Sequence, residues 1–210
     1  TDDGRLFGCG WNNNGQQGDG TTNNVLSFTQ RATNVKKFVC CSLGTWYITN
    51  DDKLFGCGDN GYGQQGDGTY DNVATFTERA TNVKDVVIDF YNAVTWYLTN
   101  DGILFGCGSN DYGQQGDGTT NEVTNFTQRA TNVKQVACSN MTTFYVTNDD
   151  KLYGCGDNRY GEIGDGTGGN DGNKITTFKE IASNVKRVVC DYYEGYTTWY
   201  ITNDDKLYGC

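Results

Sequence analysis

Four aspartates stand in the same tetrapeptide, Gly-Asp-Gly-Thr, at Asp19, Asp67, Asp117 and Asp165. Carboxylates beside exposed glycine carbonyls suit calcium, a hard cation that takes oxygen ligands. The spacing lacks the alternating acids and terminal glutamate of an EF-hand loop. A tight turn, with aspartate accepting from nearby backbone N–H groups, is the simpler reading. Runs such as Gly61-Tyr62-Gly63-Gln64-Gln65-Gly66 have the glycine content of phosphate loops but no Gly-Lys-Ser/Thr and no following helix pattern. Paired carboxylates support glycoside hydrolysis, yet an acidic turn written four times singles out no catalytic pair. The chain has no histidine, so Ser–His and Cys–His nucleophiles are impossible. These residues point to no enzyme activity, no cofactor and no metal.

Nine cysteines raise the question of disulfides or zinc, and their columns argue against both. Cys9, Cys57, Cys107, Cys155 and Cys210 occupy one repeated position. Equivalent positions of successive structural units normally lie beyond disulfide reach. Cys40, Cys138 and Cys190 share a second column whose remaining member is Ile88, as an apolar core site would allow. Adjacent Cys40-Cys41 lacks zinc-ligand spacing. The expectation is structural thiols in a reducing compartment. Asn125-Phe126-Thr127 and Asn140-Met141-Thr142 match the glycosylation pattern, as chance allows in so Asn- and Thr-rich a chain.

The elements that must position these residues follow from repetition. Leu54 to Thr69 recurs closely at Leu6 to Thr21 and Leu104 to Thr119, more loosely at Leu152 to Thr167, and a further copy begins at Leu207. The repeats run 1–48, 49–98, 99–146 and 147–201, with a partial unit at 202–210. A period near fifty residues means stacked or radial units that cannot bury their own faces alone. Thr95 to Thr99, then Asn100-Asp101-Gly102, then Ile103 to Cys107 reads as a β-hairpin, and Asn50 to Lys53 makes the same turn less ideally. Further strands are expected at Val133 to Cys138 and, more weakly, at Phe126 to Ala130. Four short strands per unit describe a propeller blade. Trp46, Trp96, Phe144 and Trp199 alternate with Tyr47, Tyr97, Tyr145 and Tyr200, as blade packing requires.

The unit Gly-x-Asn-x-Tyr-Gly-Gln-x-Gly-x-Gly, preceded by Leu-Phe-x-x-Gly and followed by Asn-Val-x-x-Val, resembles the regulator of chromosome condensation repeat. In the third unit the matching residues are Leu104, Phe105, Gly108, Asn110, Tyr112, Gly113, Gln114, Gly116, Gly118, Val133 and Val136. The resemblance spans essentially the whole chain. It implies an all-β fold, a β-propeller usually of seven blades with about fifty residues each. This chain then supplies four four-stranded blades and one strand of a fifth, with the true N-terminus and about three blades outside it. Gln17, Gln65 and Gln115 stand where the family has Leu, cysteines stand where it favours Trp, and its His and Pro are absent.

The net charge of −10 weighs against a nucleic-acid groove, and no apolar run is long enough to span a membrane. Insertions on repeat frameworks map to loops, commonly on a binding face. The copies differ most at 89–94 and 191–198, so Asp89, Phe90, Tyr91, Asp191, Tyr192, Tyr193, Glu194 and Tyr196 are the expected partner-binding residues. The expected function is a non-enzymatic scaffold for protein–protein interaction, in an intracellular, cytoplasmic or cytoskeletal setting rather than a nuclear one. The partner is a basic protein or a large assembly, including a cytoskeletal one. The family resemblance implies the alternative, guanine-nucleotide exchange on a small GTPase of the Ran type. A secreted carbohydrate- or calcium-binding propeller is a third class, and it requires disulfides or calcium-dependent stability.

Overall fold

A computed structural model of the chain describes residues 3–89, 94–139, 141–169, 173–190 and 197–210. Period-2 alternation and β-branched or aromatic side chains produce strands throughout, seventeen among the described residues. β1 (Leu6–Gly10) and β2 (Val25–Ala32) form sheet I. Sheet II is β3 (Val35–Cys40), β4 (Gly44–Thr49), β5 (Leu54–Gly58) and β6 (Val73–Ala80). Sheet III is β7 (Val83–Ile88), β8 (Val94–Thr99), β9 (Leu104–Gly108) and β10 (Val123–Ala130). Sheet IV holds β11 (Val133–Ser139), β12 (Thr142–Thr147), β13 (Leu152–Asp157) and β14 (Lys174–Ala182). Sheet V holds β15 (Val185–Cys190), β16 (Thr198–Thr202) and β17 (Leu207–Gly209).

All pairings are antiparallel meanders. The strand total is that of four repeats and the first strand of a fifth, but the sheets are out of phase with the sequence repeat. Each repeat supplies the last two strands of one sheet and the first two of the next. Backbone hydrogen bonds stitch this join: Val83 N–H donates to Asp52 O and Val133 N–H to Gly102 O, at 2.8 and 2.9 Å. Asp52, with φ of 61°, takes the same left-handed position that Gly102 takes with φ of 76°. A short acidic side chain tolerates that region better than most, so the Asn50 to Lys53 turn closes as the glycine turn does.

The core lies between successive sheets. Trp46, Ile48 and Leu54 of sheet II meet Val83, Val86 and Tyr97 of sheet III. Trp96, Leu98 and Leu104 of sheet III meet Val133, Val136 and Tyr145 of sheet IV in the same manner. One phenylalanine from the last strand of sheet III and one from that of sheet IV close these joins. Phe178 packs edge-on against Trp96 (6.2 Å between centroids) and Tyr145 (4.8 Å), and Phe126 repeats this with Trp46 and Tyr97. Gly116 has a φ of 65°, and a Cβ there would stand 2.3 Å from the Phe178 ring. Only glycine fits. The expected aromatic columns are packing residues; Trp199 is 45% exposed, no sheet following sheet V among the described residues.

Candidate functional site

A meander brings alternate connections to one end of every sheet. Here the long glycine-rich loops (11–24, 59–72, 109–122 and 158–173) share an end with the short β3–β4, β7–β8, β11–β12 and β15–β16 connections. Asp59 N–H donates to Leu43 O at 2.8 Å and Gln16 Nε2 to Ser42 O at 3.1 Å, joining the two kinds of loop. The opposite end carries the Asn-Asp hairpins.

Each glycine-rich loop is built on a buried asparagine. Asn110 Nδ2 donates to Asp117 Oδ1 (3.2 Å) and Thr119 O (3.1 Å), while its Oδ1 accepts from Gln115 N–H (2.9 Å). Asn12, Asn60 and Asn158 repeat the pattern. Asp117 Oδ1 also accepts from the Thr119 N–H and hydroxyl, and Oδ2 pairs with Arg129 at 3.2 Å. Burial pushes the Asp117 carboxyl up, but Thr119, Arg129 and Asn110 outweigh it and hold the group below the usual carboxylate range. Asp67 follows the same rule with Thr69, Arg79 and Asn60. The Gly-Asp-Gly-Thr carboxylates are therefore committed to their own turns. The basic partners, Arg31, Arg79, Arg129 and Lys179, escaped the sequence reading although each follows its aspartate by a near-constant interval of 12 or 14 residues.

All nine thiols are free. Cys57, Cys107 and Cys155 are fully buried, and their S–H groups donate to the carbonyls of Gln16, Gln64 and Gln114 in the preceding repeat, at 3.3–3.4 Å. Burial pushes the Cys57 thiol up to about 12 and the other two well above the ordinary range. The second cysteine column is less uniform: Cys138 is buried, Ile88 and Cys190 half-buried, and Cys40 exposed at the start of the first complete sheet. Gln65 and Gln115 are fully buried where Ile163 stands in the fourth repeat, and Gln115 Nε2 donates to Cys107 O at 2.9 Å.

Of the expected partner-binding residues, Asp89 is buried at 6% exposure, beside Trp46, Gln64 and Gln65 around a small cavity. Its N–H donates to Val94 O at 3.1 Å and closes the neck of its loop. Phe90, Tyr91, Asp191, Tyr192, Tyr193, Glu194 and Tyr196 lie outside the described residues, and Cys190 pairs with Thr198 at the neck of the second loop. Both necks open onto the glycine-rich end.

That end has further features of its own. Trp11, Tyr62, Tyr70 and Tyr160 are 42–68% exposed there. The described residues of these connections include ten acidic side chains and one basic, Arg159, against 26 and 16 in the whole chain. The signal for the aromatics was present in the sequence. Tyr62, Tyr112 and Tyr160 form a column of the repeated motif.

Comparison with known proteins agrees with this geometry. The regulator of chromosome condensation repeat models match residues 101–146 and 133–162. No curated protein matches the chain. Among solved structures, human WBSCR16 superposes with a TM-score of 0.78 at 20% identity, over 97% of this chain and 55% of that one. Yeast RCC1 (Prp20) bound to Kap60 gives 0.71 at 15% identity, over 91% and 47%. Prp20p of Saccharomyces cerevisiae, reported with its binding properties to Gsp1p and histones, gives 0.70 at 20% identity, over 89% and 50%. The chain spans about half the length of these structures. With its all-β sheets and repeated glycine-rich loops, the chain is folded as successive blades of a β-propeller, and its residues 101–162 match the regulator of chromosome condensation repeat.

Proposed function

We propose that the chain is part of a non-enzymatic scaffold that holds protein partners on the glycine-rich end of its propeller. One observation carries the reading: four exposed aromatic side chains share an end where, apart from the paired turn aspartates and the buried Asp89 and Glu162, four carboxylates (Asp59, Asp71, Asp111 and Glu122) stand against one basic group, Arg159. Large aromatics anchor interfaces, and a charged rim selects and steers the partner. The described necks of the 89–94 and 191–198 segments, Asp89 with Val94 and Cys190 with Thr198, lie at the same end. The partner is a basic protein or a large assembly, cytoskeletal assemblies included. Nine free thiols support a reducing, cytoplasmic setting. Among the described residues no helix is long and apolar enough to cross a membrane. Replacing Tyr192, Tyr193 and Tyr196 with alanine is expected to weaken partner capture without lowering the melting temperature. Unchanged capture rejects that loop as the interface.

A second reading, guanine-nucleotide exchange on a small GTPase, draws on the likeness in fold to Prp20p, which was reported with its binding to Gsp1p. Release of a fluorescent GDP analogue from candidate GTPases tests it. No acceleration over the spontaneous rate rejects it.

A further inference from the structure

Two successive joins between blades are built alike but occupied differently. Tyr112 lies in the β9–β10 loop, where a Cβ on the neighbouring Gly113 would stand 2.8 Å from Thr176 of β14. Over its ring sit two cations of the next blade. Lys174 Nζ is 5.1 Å from the centroid and the Arg159 guanidinium 5.4 Å. Lys174 also donates to Asp111 O at 2.8 Å.

One join earlier, Tyr62 holds the same place. A Cβ on Gly63 would stand 2.8 Å from Thr124, as one on Gly113 would from Thr176. The pairing Gly108↔Val123 corresponds to Gly156↔Ile175. By that register the positions of Arg159 and Lys174 are filled here by Asp111 and Glu122, both exposed. Tyr62 is 42% and Tyr70 54% exposed, and the neighbouring Glu122 carboxylate raises the Tyr70 hydroxyl above its ordinary range. The aromatic platform is kept while the two cations are exchanged for two carboxylates.

We propose that Tyr62, Tyr70, Asp111 and Glu122 form a seat for a lysine or arginine side chain of a basic partner segment, which supplies in trans what Arg159 and Lys174 supply to Tyr112 in cis. A cation over a tyrosine face gains from the ring quadrupole, and flanking carboxylates add charge-assisted hydrogen bonds. The acidic surround raises the encounter rate with a basic chain. This rests on the interaction reading of the glycine-rich end and names the chemistry of its partner.

The test is titration calorimetry of the protein with a short Arg/Lys-rich peptide and with the same peptide carrying Gln at every basic position, at about 0.15 M salt. The basic peptide is expected to bind and the Gln peptide not. Tyr62→Ala is expected to weaken binding about fivefold, with Tyr62→Phe retaining it, since the ring and not the hydroxyl holds the cation. The double change Asp111→Arg with Glu122→Lys, which copies the occupied join, is expected to weaken it by about tenfold or more while the melting temperature holds. Equal binding of the two peptides, or wild-type binding by Tyr62→Ala or by the double variant, overturns the proposal. Capture of the native partner by the same variants separates the two readings: capture that persists while the peptide result is negative removes the cation seat and leaves the scaffold standing.

Discussion

At the scale of single residues, the buried asparagine does more than its place in a glycine-rich loop suggests. Asn110 is fully buried, and its amide satisfies groups on both sides of the loop: Asp117, Thr119 and the Gln115 N–H. Asn110→Ala strands buried partners, so a loss of about 3 kcal/mol is expected in denaturant unfolding, at 1–3 kcal/mol per unsatisfied group. Gln115→Ile is expected to cost less than about 1 kcal/mol, because the fourth repeat already carries Ile163 there and the exchange is of similar volume. The aspartates set a pH dependence. The carboxyls of Asp67 and Asp117 are held below their unfolded range, so their stabilisation is complete at neutral pH and is lost as pH falls through the depressed folded value. Asp117→Asn is therefore expected to lower stability at pH 7 and to narrow the gap to wild type in acid, read by unfolding across the acid range. Much of this was legible: glycine-flanked aspartate announced a turn. Arg129 was not, because strand β10 carries it back to Asp117 from twelve residues away.

At the scale of elements, the joins between sheets carry the energy. Phe178 fills the space over Gly116 and meets Trp96 and Tyr145 from two different sheets. Phe178→Ala is expected to cost about 3–5 kcal/mol in denaturant unfolding, the usual range for a deleted core aromatic. Gly116→Ala is expected to be of similar severity, because it adds a Cβ at positive φ against the same ring. A melting temperature within a degree or so of wild type for either variant contradicts this account of the join, since about 1 kcal/mol moves Tm by a few degrees. The strands themselves could be read from alternation and turn chemistry, as β8 and β9 show. Their grouping could not. A local pattern records where a strand lies but not that Leu54 pairs with Ile48 across a repeat boundary, so the sheets came out of phase with the sequence unit. The last strand of each sheet extends beyond the expected bounds for a related reason: β10 begins at Val123, where its backbone bridges from Asn125 to Asp67 of the preceding blade and its burial follows no clean alternation.

At the scale of the molecule, the two ends of the propeller differ in kind. The hairpin end is a ladder of short polar contacts, in which Asn100 Nδ2 donates to Asp52 Oδ2 (2.9 Å) and Asn203 Nδ2 to Asp150 Oδ2 (2.8 Å) across successive blades. Lys36 with Asp52 and Lys134 with Asp150 neutralise much of its charge. The glycine-rich end lacks that compensation outside its internal Asp–Arg pairs, and it presents the exposed aromatics. The divergence of the 89–94 and 191–198 segments, whose necks lie at this end, is legible in the sequence. Sequence reading passed over the tyrosine column because a residue that repeats with the framework looks like framework. Only exposure distinguishes Tyr62 from Tyr97, which are 42% and 7% accessible.

Carboxylate footprinting of the protein with and without its captured partner tests the central claim most directly, because acidic side chains mark both ends. Partner binding on the glycine-rich end is expected to protect Asp59, Asp71, Asp111 and Glu122 while leaving Asp51, Asp101, Asp149 and Asp204 labelled as in the free protein. Protection confined to Asp51, Asp101, Asp149 and Asp204 contradicts the account.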